Sequence, residues 1–322
     1  MYPSYQIFKY NLTLILTLLL LLNYSNSECQ NSESLFLEAQ KLARHKNYSG
    51  AFDILWKLVR LEPDNQKYYL ELGELFYCSK QYNETIKMCY KALEIDKTSP
   101  KAYLLRGKVC LVTKSYGCAI LFCNKAINNT DDEDIILQCL KKRGEAKHAL
   151  ENYSEAYNDF LTVLQYDSLD VNTLYSISDI QMKLNKDDEA IRTFKKIIRI
   201  EASNFRAYKM LGLILIKMDK NKEAIEFLNK GLKFTPKDAE LYCHLGHANY
   251  KEKDYNLALS NISKSLIINQ DNPVAYKIRA LVYLELNQEE KACNDFFKSL
   301  QLGYIEKYGY DVLDLYIERC EE

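Results

Sequence analysis

The 322-residue chain is 48% hydrophobic and 27% charged, with a formal net charge of −1. It lacks the basic excess of a nucleic-acid-binding surface, and no run of like charge is long enough to read as a disordered tail. Ten glycines and five prolines are few, which suits helices joined by short turns.

Residues 1–27 differ from the rest. Lys9 and the amino terminus precede an apolar run from Leu12 to Leu22, broken only by Thr13 and Thr17, and Ser25-Asn26-Ser27 follows. This is the three-part layout of a secretory signal. The run has 11 residues, whereas a membrane span needs about 20. The expectation is a cleaved signal peptide over 1–27, with no membrane span after its removal; an uncleaved anchor is the runner-up. The chain is then exported: secreted, periplasmic or in the endoplasmic-reticulum lumen.

From residue 32 onward a pattern returns every 34 residues. Tyr69, Leu72, Gly73 and Phe76 align with Tyr103, Gly107 and Cys110. They align again with Tyr208, Leu211, Gly212 and Leu215, and with Tyr242, Leu245, Gly246 and Asn249. A small residue recurs further along: Ala51, Ala119, Ala156, Ala190, Ala224, Ala258 and Ala292. Fixed self-similarity at this period predicts an all-α solenoid of stacked helical hairpins. The units are 32–65, 66–99, 100–133, 137–170, 171–204, 205–238, 239–272 and 273–306, with Asp134–Ile136 as a three-residue insertion and 307–322 as a C-terminal capping helix.

Each unit reads as helix, turn, helix. In 205–238, Tyr208, Leu211, Leu215 and Ile216 recur at three- and four-residue steps, one face of a helix. Asp219–Lys222 is the polar turn. Ala224, Ile225, Phe227, Leu228 and Leu232 form the second apolar face, and Thr235-Pro236 stops it. Gly212 and Ala224 fall where two backbones must approach closely.

Over residues 32–306 the chain resembles a tetratricopeptide repeat (TPR) protein. The family pattern is a large aromatic, Leu-Gly and an aromatic in the first helix, then Ala, Phe, Ala and Pro. The Ala and Phe positions are met by Ala156 and Phe160, Ala190 and Phe194, and Ala292 and Phe296. Tyr replaces the usual Trp in several units, Thr85 replaces Ala, and Ser178 replaces Gly. The resemblance implies a right-handed α-solenoid of about eight TPR hairpins whose concave groove, lined by first helices, holds a partner peptide or helix. Two groove chemistries of the family are missing. The Asn of a chaperone-tail clamp is replaced by Glu74, Lys108, Glu145, Asp179, Leu213, His247 and Leu281. An asparagine ladder is replaced by Glu71, Leu105, Lys142, Ser176, Met210, His244 and Ile278.

Candidate groove contacts are Leu70, Tyr77, Tyr175, Met182 and Tyr250, with Lys209, Lys217, His247, Lys251, Glu240 and Lys277 adding polar character. Tyrosine suits protein interfaces, yet each could equally pack between helices. Tyr48, Tyr82, Tyr116, Tyr153 and Tyr255 are read as plugs for the hairpin ends.

Ten cysteines in an exported chain predict some pairing. Cys293, in the last second helix, and Cys320, in the cap, are the expected disulfide; Cys29 has no obvious partner. Cys89, Cys110 and Cys123 fall at core-type positions. Cys243-His244-x-x-His247 is a metal-like cluster without an evident fourth ligand, and its histidines are read as solvent-facing on the groove wall. No catalytic constellation, metal or cofactor is expected. The reading is therefore a non-enzymatic scaffold or adaptor for a protein partner. The alternative is a luminal or periplasmic co-chaperone or holdase, although no His-Pro-Asp motif of a J domain occurs.

Overall fold

The computed structural model describes residues 32–320. The expected signal peptide and Cys29 lie outside the described residues. The chain divides into two compact units, Met1–Val163 and Leu164–Glu322, and among the described residues every regular element is a helix. The first unit holds α1 (32–44), α2 (Tyr48–Leu61), α3 (Gln66–Cys78), α4 (Tyr82–Ile95), α5 (Pro100–Val112), α6 (Tyr116–Ile127) and α7 (Glu133–Ala149). Helix α8 (Tyr153–Tyr166) runs across the boundary. The second unit continues with α9 (Val171–Lys183), α10 (Asp187–Ile200), α11 (Phe205–Lys217), α12 (Asn221–Phe234), α13 (Ala239–Lys251) and α14 (Tyr255–Ile268). It ends with α15 (Pro273–Glu285), α16 (Glu289–Gln301), α17 (Tyr304–Tyr308) and α18 (Asp311–Cys320). Odd-numbered helices up to α15 are the first helices of hairpins, and even-numbered ones are the second.

The repeat is written in its boundaries. Asn65, Ser99, Asp132, Asp170, Asn204, Asp238 and Asn272 each accept a backbone N–H at the start of a first helix. Such side-chain caps contribute about 1 kcal/mol each. Each first helix ends on one residue in the left-handed region: Lys46, Lys80, Lys114, Glu151, Asn185, Asp219, Lys253 and Asn287. The next N–H then reaches back to a carbonyl five residues earlier, as in Gln81 N to Phe76 O (2.8 Å) and Lys220 N to Leu215 O (2.8 Å). That bond satisfies a carbonyl the helix end would orphan and turns the chain into the second helix.

Small residues sit where helices meet. The seven recurring alanines are all 0% exposed. A Cβ on Gly212 would lie 2.4 Å from Leu228 Cδ2, and one on Gly246 2.3 Å from Ile262 Cδ1, so only glycine permits the observed approach. The tyrosines standing where the family has Trp keep a polar handle. Tyr69, Tyr103 and Tyr208 donate to the carbonyls of Pro63, Lys97 and Ala202 in the preceding turn.

Three units replace the apolar Leu of the first helix by Arg. Arg106 lies over the ring of Phe122 at 4.0 Å. The other two meet an acid at the same place: Arg143 donates twice to Asp159 (2.9 and 2.7 Å), and Arg279 twice to Asp295 (2.6 and 2.7 Å). Lys147 also reaches Asp159 at 3.1 Å. Both aspartates are buried, so bidentate pairing compensates what desolvation costs them.

The cap is two pieces, not the single helix expected over 307–322. Gly309 (φ 102°) interrupts it, and Gly303 (φ 75°) separates α17 from α16, a conformation that strains any residue with a Cβ. Val312 fills the end of a core made with Ala280, Ala292, Phe296 and Tyr304. Lys277 of α15 bonds Tyr304 (2.9 Å) and Asp311. Cys293 and Cys320 are brought together with a Cα separation of 5.6 Å and their sulfurs at bonding distance.

Candidate functional site

The insertion at Asp134–Ile136 sets the main feature of the first unit. The chain does not loop it out. Helix α7 has 17 residues where α3, α5, α9, α11, α13 and α15 have 13, so the insertion is spent on an extra first turn. Asp132 caps that turn by accepting from Asp134 N and Ile135 N (3.0 and 3.3 Å). Glu133 and Asp134 complement the positive end of the helix. Ile135 anchors it, 5% exposed in a cluster with Leu104, Cys123, Ala126 and Cys139.

The extra turn walls a cleft of about 430 Å³ lined by first helices. Its lining includes the apolar side chains of Phe36 of α1, Leu70 of α3, Leu104 of α5 and Ile135 of α7. Its rim is charged in both signs by Lys67, Lys101 and Lys108 and by Glu71, Glu74, Asp132 and Asp134. Two rim contacts join successive first helices and hold their spacing: Gln40 to Glu71 (3.1 Å) and Lys108 to Glu74 (3.0 Å). Leu70 is the candidate groove residue that the structure places in this cleft. Tyr77, at the other end of α3, packs its ring 5.9 Å from the turn residue Tyr82, and burial raises its hydroxyl pKa.

The first helices of the second unit present a different face. Lys209 pairs with Glu240 and Asp238, Lys217 with Asp187 (2.9 Å) and Asn185, and Lys277 with Asp311. Each basic group is matched by an acid from a neighbouring helix. Tyr175 is built into the stack: its hydroxyl donates to Asn204 Oδ1 (2.6 Å), its ring meets Phe194 at 6.0 Å, and Arg206 lies over it at 4.5 Å. Burial raises its hydroxyl pKa to about 12. Met182 packs against the same core. Tyr250 packs 6.3 Å from Tyr255, as Tyr77 does on Tyr82. Lys251 is exposed. Tyr82 and Tyr255 thus cover their hairpin ends and shelter the tyrosines before them.

The histidines correct one expectation. His244 and His247 are half-buried, not solvent-facing. Burial lowers the pKa of both, that of His247 to about 4, helped by the nearby charges of Lys251 and Lys277. Cys243 is buried, and burial pushes its thiol up to about 12. Among the described residues no group of three or more His, Cys, Asp or Glu is placed to hold a metal. Nor is any described helix long and apolar enough to cross a membrane.

Comparison with known proteins agrees with this architecture. The family model described as "Tetratricopeptide repeat" matches residues 171–204, and that described as "TPR repeat" matches 212–253. No curated protein matches the sequence. Among solved structures, the C-terminal part of a TPR repeat-containing protein from Cytophaga hutchinsonii superposes with a TM-score of 0.63. It is 17% identical, over 76% of this chain and 99% of that one. A tetratricopeptide repeat protein from Parabacteroides merdae gives 0.59 at 18% identity, over 78% and 98%. A chain of the APC/C hetero-tetramer Cut9–Hcn1 gives 0.55 at 16% identity, over 89% and 55%. At these identities the likeness is one of fold.

Proposed function

We propose that this chain, a tetratricopeptide repeat protein, is a non-enzymatic scaffold that holds a segment of a protein partner in the cleft between α1, α3, α5 and α7. The repeats and their structural neighbours support an interaction scaffold at the coarser level. One observation carries the finer reading: a cleft of about 430 Å³ whose lining combines apolar side chains with charges of both signs, formed where the repeat register breaks. An apolar anchor seated on Leu70, Leu104 and Ile135 would be desolvated, while flanking polar groups met the rim carboxylates and lysines. An exported location is part of the proposal, supported by the signal-like composition of 1–27 and by the approach of Cys293 to Cys320. A disulfide there would clamp the cap to α16 and contribute roughly 2–4 kcal/mol. The candidate groove residues of the second unit, Lys209, Lys217, His247, Tyr250 and Lys251, lie outside this cleft and are given no contact in this scheme.

Affinity capture from the native compartment tests it. Leu70→Asp should weaken retention of the principal partner at least tenfold, about 1.4 kcal/mol, with helix content unchanged; Lys217→Asp should leave it intact. Equal retention by both variants would remove the cleft from the account. A holdase would instead suppress aggregation of many unfolded chains, and suppression with no stoichiometric partner would favour that alternative.

A further inference from the structure

The first unit contains a thiol pair to which the scaffold reading gives no role. Cys110 lies near the end of α5, and Cys118 early in α6. They flank the turn symmetrically, four residues to either side of the left-handed Lys114. Ser115 N bonds Cys110 O at 2.8 Å, so the turn holds the start of α6 against the end of α5. The same two positions touch in other hairpins. Around Glu151 they are Lys147 and Glu155, whose side chains pair at 3.2 Å. Around Asn287 they are Tyr283 and Lys291, whose ammonium lies 5.6 Å from the ring centre. The repeat geometry thus places side chains at these positions face to face, and in the third hairpin both are thiols.

We propose that Cys110 and Cys118 form a thiol–disulfide exchange site, oxidised by a small-molecule or protein disulfide to an intrahairpin bond that staples α5 to α6. Cys118 is exposed and Cys110 half-buried, so Cys118 meets the incoming disulfide first. Its thiolate attacks one sulfur of the reagent; the reagent S–S bond breaks, and one reagent thiolate leaves. Cys110 then loses its proton to solvent and attacks Cys118 Sγ of the mixed disulfide, expelling the second reagent thiolate. Two protein thiols are oxidised and one disulfide is reduced to two thiols. Burial pushes the Cys110 thiol up to about 11, so its proton leaves only as the second attack proceeds. Helix α5 also carries Leu104 and Lys108 into the cleft, so the staple fixes one wall of the candidate site.

Other cysteines provide the contrast. Cys123 and Cys139 share one buried cluster, but both are 0% exposed, which bars a soluble disulfide from the folded chain. Cys78 is exposed on α3, two residues before the left-handed Lys80. The position that mirrors it across that turn holds Tyr82, not a thiol, so its reaction should stop at the mixed disulfide.

The test treats the full-length chain with oxidised glutathione at neutral pH, quenches with acid and maps non-reduced tryptic peptides. The expected product links peptide 109–114 to 115–125. Because Cys118 and Cys123 share the second peptide, fragment ions must assign the bond to Cys118. Cys110→Ser should convert that link into a persistent glutathione adduct on Cys118, with the circular dichroism spectrum of the parent. Retention of glutathione on Cys118 in the parent chain, with Cys110 still open to alkylation, would overturn the proposal. So would a bond from Cys110 to Cys123, or an unreacted Cys118.

Discussion

The two units repeat one hairpin but use its first-helix face in opposite ways. In the second unit, where both family models match, the register runs unbroken and the lysines at 209, 217 and 277 are each matched by an acid from a neighbouring helix. In the first unit the register breaks once, at Asp134–Ile136, and the break becomes an extra turn that walls a cleft. Regularity in such a stack favours mutual satisfaction of the groove charges. The departure from regularity forms a cleft whose lining combines apolar side chains with charges of both signs.

The largest expected effect tests whether the polar hairpin α7–α8 is held as firmly as the apolar ones. Asp159→Ala removes the acid shared by Arg143 and Lys147, whose side chains are only 21% and 11% exposed, and leaves them Asn124 and Glu155 as partners. Breaking such a pair costs about 3–5 kcal/mol when fully buried, and the residual exposure of Arg143 places the expected loss near the lower end. Urea denaturation would read it directly, and a loss below about 1 kcal/mol would show water reaching the site. Asp295→Ala is the matched change in the second unit.

A smaller effect separates the units at the recurring small position. Ala224→Leu should cost about 1–3 kcal/mol by overpacking the contact with the first helix. Thr85, equally buried at the same position of the first unit, already accommodates a larger side chain, so Thr85→Val should change little. Equal losses at both positions would mean that helix spacing does not differ there.

A further difference is a pH dependence carried by a histidine of the second unit. His247 has a folded pKa near 4, below the ordinary 6.5. The unfolded chain therefore binds more protons than the folded one between those values. Its contribution to stability is present above pH 6.5 and is lost as pH falls through 4. His247→Gln should flatten that limb of the stability profile; an unchanged limb would assign it to other groups.

Much of this was legible in advance. The 34-residue period, the close-packed glycines and alanines and the turn tyrosines are all consequences of helices stacking at fixed spacing, and spacing is what a period encodes. The register break was legible too, but not its consequence. Three extra residues can be looped out or added to a helix, and the choice rests on Asp132 as a cap and on Ile135 finding Leu104 and Ala126, a contact made only in three dimensions. The buried Arg–Asp pairs left a readable trace, since both recur at a separation of 16 residues. Tyr175 and the histidines were harder. A half-buried ring and a groove-facing ring carry the same letter, and their surroundings come from neighbouring repeats.

Deleting Asp134–Ile136 tests the central claim most directly, since it restores the unbroken register without altering any residue of α1, α3 or α5. The account predicts a chain with unchanged helical signature that no longer retains the partner captured by the parent. Partner retention equal to the parent's would contradict it and place the binding surface elsewhere on the repeats.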